Sequence, residues 1–111
     1  MPFEFEVTEK VWWPIHIKKA VTGGQSKKVK AELLIMPMTV DEWEAMQKMD
    51  GAESNDALAA HVSDWKVNDE HGKPLEFTPE LFLAALKNEA FITAAVIGMR
   101  QVCLGEASAK N

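Results

Sequence analysis

Three histidines, one cysteine and seventeen carboxylates are the side chains in this 111-residue chain that could do chemistry. His61, Asp64, Asp69 and His71 can be drawn as a metal set. Their spacing places one pair three apart and the other in a polar turn, which matches no established ligand pattern, so solvated polar residues are the better account. Cys103 with a distant histidine could form a nucleophile pair, but a lone thiol on an apolar helical stripe reads as a small core residue. Glu42 and Glu44 fall on different faces of a helix and do not suggest paired acid–base work. There is no phosphate loop, no dinucleotide glycine fingerprint and no serine elbow. This inventory argues against an enzyme and calls for neither a metal nor a cofactor.

The unusual residues are apolar and basic. Four tryptophans accompany six methionines, with no tyrosine. Trp12 and Trp13 are adjacent, so in an extended chain they point to opposite sides and one can anchor a contact while the other is buried. Trp43 and Trp65 sit where a helical stripe would bury them, and methionines such as Met46 and Met49 suit irregular gaps or adaptable binding surfaces. Residues 9–30 carry six lysines against Glu9, a charge of +5, while the rest of the chain carries −10. Opposite halves of this kind steer association, which makes a head-to-tail contact between copies attractive. Such a contact would set Lys18, Lys19, Lys28 and Lys30 against Asp41, Glu42 and Glu44 of a neighbour, with Trp12 or Trp13 as anchor. A basic hairpin with an exposed tryptophan could also track a nucleic-acid single strand. The acidic majority and the single arginine, Arg100, oppose that reading.

These residues must be positioned by one modest domain. The composition is that of an ordinary globular chain, 47% hydrophobic and 26% charged. A single cysteine forbids an intrachain disulfide and suits a reducing compartment. The longest uncharged stretch, Ala90 to Met99, is too short to span a bilayer, and the early glutamates do not read as a secretory signal. Period-two alternation predicts a strand, loop and strand over about residues 14–36, turning at Gly23-Gly24, with Pro14 at a strand start or an edge. Phe3, Phe5 and Val7 alternate with Glu4 and Glu6 and predict a further strand or a loose arm. The rest predicts helices. Thr39 and Glu42 form a capping box opening a helix with Val40, Trp43, Met46 and Met49 on one face and Gly51 at its end. Ser54 or Asn55 caps a second helix with a Leu58, Val62, Trp65 stripe ending near Lys66. Thr78-Pro79-Glu80 opens a third, with Leu81, Phe82, Ala85 and Leu86 inward. Asn88-Glu89 breaks it or starts another, which runs through Phe91, Ile92, Ala95, Val96, Met99, Val102 and Cys103 to Gly105. The expected fold is α+β: an N-terminal β-hairpin or small antiparallel sheet packed on three to four helices. Its parts are a hairpin region over 1–37, a helical region over 38–105 and a flexible tail over 106–111.

The chain also carries a series of motifs in a telling order. A two-strand segment ends in Lys30-Ala31-Glu32-Leu33-Leu34-Ile35, and the acidic helix Asp41-Glu42-Trp43-Glu44-Ala45-Met46 follows. Then come Trp65-Lys66-Val67, an acidic turn, Gly72, Pro74, Phe77 and Thr78-Pro79-Glu80, followed by an apolar helix and the polar end Ala107-Ser108-Ala109-Lys110-Asn111. In this order the sequence resembles the tail assembly chaperones of long-tailed bacteriophages and prophages over nearly its whole length. The resemblance implies a non-enzymatic protein of the host cytoplasm that binds the tape measure protein, promotes tail tube assembly around it and is absent from the mature virion. It implies self-association into rings or spirals. It also implies a longer frameshifted product, for which Ala109-Lys110-Asn111 permits slippery codons. The lysine-rich hairpin and the Trp12-Trp13 pair have no counterpart in the family's pattern.

Overall fold

The computed structural model describes residues 9–105; the Phe3, Phe5, Val7 segment and the 106–111 tail lie outside them. The fold is α+β, a three-stranded antiparallel sheet with four helices. Strand β1 (Val11–Val21) pairs with β2 (Gln25–Ile35) from Val11↔Ile35 to Val21↔Gln25. The loop between them passes through Gly23 and Gly24 at φ +94° and +76°, a region that glycine enters without strain. β1 begins three residues before the expected start and takes in both Trp12 and Trp13. It forms one edge of the sheet, and Pro14 in its midst blunts that edge against further pairing.

The expected second helix divides into two elements. Helix α2 (Gly51–Ala59) ends early, and Val62–Lys66 forms strand β3 against β2. The register explains the misreading. Leu33 faces Trp65 and Ile35 faces Val62, so two steps on β2 are matched by three on β3, with Ser63 the extra residue of a bulge. The bulge brings Val62 and Trp65, three apart, onto the same buried face, and that spacing imitates a helix. The region over 38–105 is therefore not wholly helical.

Helix α1 (Val40–Gln47) carries the expected capping box: Thr39 Oγ1 accepts the Glu42 N–H at 3.1 Å and the Glu42 carboxylate accepts the Thr39 N–H at 2.8 Å. Gly51 does not close this helix. It is the first residue of α2, which is capped by Asp50, whose carboxylate accepts the Glu53 N–H at 2.9 Å; Ser54 and Asn55 lie inside that helix. The Thr39 hydrogen bond is the main reason the Glu42 pKa lies below the usual carboxylate value; desolvation opposes it and His61 adds to it. A carboxyl group lowered in the folded state adds stability above its unfolded pKa and loses it as the pH falls through the lowered one. Thr39→Ala should cost about 1 kcal/mol at neutral pH. The gap between wild type and Glu42→Gln should narrow in thermal melts as the pH is lowered through that window. A gap constant from neutral to acid pH would contradict the assignment.

Helix α3 (Pro79–Ala85) starts as expected, with Thr78 Oγ1 accepting the Leu81 N–H at 3.0 Å. Leu81 itself points outward, and Phe82 and Leu86 are the buried pair. Asn88 then caps a new helix, α4 (Glu89–Leu104), which ends at Gly105 in the left-handed region. The two helices are bent by 108° at their break, and no single helix among the described residues is long and apolar enough to cross a membrane.

The helices cover one face of the sheet, where Ile15, Ala31, Leu33, Ile35, Val62 and Trp65 are buried. Trp65 is the hub of an aromatic cluster, its ring 5.5 Å from Phe77, 6.1 Å from Phe82 and 6.2 Å from Phe91. Its Nε1 donates to the Leu75 carbonyl at 3.0 Å, tying the 68–75 turn back to the strand. The small stripe Ala94, Ala95 and Gly98 of α4 is buried, and at Gly98 the close neighbours are Ile15 and Trp13 of β1. Its small size admits a strand rather than another helix.

Candidate protein-interaction surfaces

The residues that might have formed a catalytic or metal site each have structural partners. The Met36 carbonyl can only accept, so His61 Nδ1 carries the proton donated to it at 2.8 Å. His61 Nε2 lies 3.8 Å from the Glu42 carboxylate. The Asp69 carboxylate accepts the backbone N–H groups of His71 and Lys73 and so holds the polar turn. Among the described residues no three His, Cys, Asp or Glu side chains are grouped to hold a metal ion. Cys103 Sγ accepts the Met38 N–H at 3.3 Å, and burial pushes its pKa up, away from the thiolate a nucleophile requires.

The sheet register sorts the basic residues onto two sides. Pairing of Trp12 with Leu34, His16 with Lys30 and Lys18 with Lys28 places Trp12, Lys18, Lys28 and Lys30 on the face away from the helices. Trp12 is 38% exposed, with Lys66 Nζ 4.5 Å from its ring centre, a cation–π contact. Trp13 points the other way, half-buried, with Nε1 donating to Gln101 Oε1 at 2.9 Å. Lys19, directly opposite Lys27, belongs to the helix side with Trp13 and so does not join the other three lysines. Directly opposed like charges at Lys18–Lys28 and Lys19–Lys27 destabilise a bare hairpin. No lysine forms an ion pair among the described residues.

A second surface flanks α1 and α4. Two cavities lie between these helices at opposite ends of α1. One, of about 240 Å³, has Met46, Met49, Leu58, Ile92 and Val96 in its lining. The other, of about 210 Å³, is lined by Met38, Val40, Trp43, Arg100, Cys103 and Leu104 among others. Met46 is buried at 5% exposure, whereas Met49 lies past the end of α1 and is open to solvent. Trp43 is half-buried at the rim rather than in the core. Asp41 and Glu44 are exposed beside it, while Glu42 is held by its cap and faces His61. The expected stripe on α1 is therefore only partly inward.

Val40, expected on the inward stripe of α1, is 72% exposed on this surface beside Leu104 at 56%; Leu104 and Ile97 of α4, the latter 53% exposed, escaped the sequence reading. Ile97 and Leu104 are seven apart and so share a helix face, off the Phe91, Ala95, Met99 stripe that α4 buries. That pattern was available as the second apolar face of α4. Comparison with protein-family models, with curated proteins and with solved structures finds no match in any of the three.

Proposed function

We propose that this chain is a non-enzymatic protein-binding domain that acts as a tail assembly chaperone of a long-tailed phage or prophage. In this role it holds the tape measure protein, promotes tail tube assembly in the host cytoplasm and stays out of the mature virion. The observation that carries the reading is the exposed apolar groups Val40 and Leu104 around the half-buried Trp43, with Met49 exposed at the other end of α1, beside a core already closed by the aromatic cluster. Exposed apolar groups of this kind suit the apolar face of a partner helix, and methionines let such a surface adapt. The resemblance from Trp65 to Glu80 supplies the particular partner.

Self-association belongs to the same reading. The open sheet face offers Trp12, Lys18, Lys28 and Lys30, and α1 offers Asp41 and Glu44. The match is between different patches, so copies would join head to tail into rings or spirals. Light scattering at low salt should show a mass above the monomer, with a further gain when a tape measure fragment is added. Lys28→Glu with Lys30→Glu, or added salt, should weaken assembly. A monodisperse monomer with no gain in mass on adding the fragment would refute both parts. Binding of a single-stranded oligonucleotide that falls steeply with salt would favour the nucleic-acid alternative instead.

A further inference from the structure

The end of the hairpin overhangs the helices and leaves a groove of about 920 Å³ beneath it. Its apolar lining includes Ile17, Val21, Val29, Val67 and Phe91, and the lysines that the register turns to this side are Lys19 and Lys27, with Asp69 and Glu70 also in the lining. Val21 and Val29 are exposed, and no element among the described residues covers them. Lys19 and Lys27 oppose each other on this inner side, and neither has a carboxylate within ion-pair distance among the described residues. The groove thus asks for a partner that is apolar on one side and acidic on the other.

The chain contains such a segment. Phe3, Phe5 and Val7 alternate with Glu4 and Glu6, so an extended backbone presents aromatic and aliphatic groups to one side and carboxylates to the other. Chain length favours the groove of another copy: the four residues from Glu6 to Lys10 span about 14 Å at most, whereas the strand from Lys10 to Lys19 runs roughly 30 Å. We infer that the groove of one copy takes the Phe3–Val7 segment of a second copy, with Phe3 and Phe5 on the apolar floor and Glu4 and Glu6 meeting Lys19 and Lys27. Lysine stems lie along apolar surface while their amines reach outward, so the same side chains can cover the rings and pair with the carboxylates. This inference rests on the self-association reading and adds a contact distinct from the Trp12 face.

A charge swap between chains tests it. Glu4→Lys/Glu6→Lys damages the segment and leaves the groove intact; Lys19→Glu/Lys27→Glu does the reverse. By light scattering, each full-length variant alone should need about tenfold more protein to assemble, the scale of losing close charge pairs. Mixing the two should restore assembly, because each segment then meets a groove of opposite charge. A synthetic peptide of Met1–Lys10 should compete with assembly of the parent chain. Circular dichroism melts matching the parent would show that the variants fold. If the parent assembles and the folded variants assemble equally well, or their mixture gains nothing, the segment contact is wrong while self-association stands. If the parent stays a monomer, self-association itself fails and this contact fails with it. Binding of a poly-dT oligonucleotide that is abolished by Lys19→Glu/Lys27→Glu would reassign the groove to a phosphate chain and overturn the inference.

Discussion

Replacing Trp65 by alanine is expected to cost about 3–5 kcal/mol, the range for deleting a large buried aromatic side chain. Two losses combine. The ring is 6% exposed and lies edge-on to Phe77, Phe82 and Phe91, so its removal opens a cavity shared by β3, α3 and α4. Its Nε1 also donates to the Leu75 carbonyl, and without it the 68–75 turn loses its anchor to the strand. For a domain of this size the thermal midpoint should fall by roughly 12 °C or more, a large part of its margin. Trp65→Phe should recover part of the cavity term while leaving the Leu75 carbonyl without its donor, and so should fall between the two. Phe91→Ala should cost a similar amount to Trp65→Ala because it opens the same cluster from the α4 side. Thermal melts within a degree of wild type for both alanine variants would show that the cluster does not hold these elements together.

The parts of this fold that were legible in the sequence are those set by local rules. The β1–β2 hairpin, the Thr39 capping box, the Thr78-Pro79 start and the Gly105 stop depend on residues within a few positions of one another, and they fall where alternation and capping chemistry place them. The break at Asn88 was legible only as a choice. Strand β3 was not legible because its evidence is tertiary: Val62 and Trp65 follow helical spacing only through a bulge at Ser63 that exists because β2 is there to pair with. Gly51 misled for a related reason. Glycine after an apolar stripe reads as a helix end, but Asp50 beside it has the carboxylate that caps the next helix. Among the surface candidates, the adjacency of Trp12 and Trp13 foretold opposite sides, and the same alternation separates Lys19 from Lys18, Lys28 and Lys30. The placement of Met46 inside and Met49 outside needed to know where α1 stops.

Gly98→Leu should be the other severe substitution, and the reason lies in how closely α4 approaches β1. A Cβ at this position would lie 2.8 Å from Ile15 Cγ2 and 3.6 Å from Trp13 Cδ1. The Ile15 methyl is attached directly to its Cβ in a fully buried side chain, so it cannot swing aside. Leucine would have to lift the helix from the strand and disturb the Trp13–Gln101 hydrogen bond, at a cost of about 3 kcal/mol, the upper end for overpacking. Gly98→Ala separates two opposing effects. Alanine favours the helix by about 1 kcal/mol over glycine, whereas the clash costs roughly 1–3 kcal/mol. The clash should win in the wild-type background, so the variant should be less stable. In an Ile15→Ala background the opposing methyl is gone and only the helix preference remains, so the same change should become stabilising by up to about 1 kcal/mol. A double-mutant cycle in denaturant reads this reversal directly. Equal effects of Gly98→Ala in both backgrounds would mean that the glycine is not there to admit Ile15, and that α4 and β1 are held apart by something other than this contact.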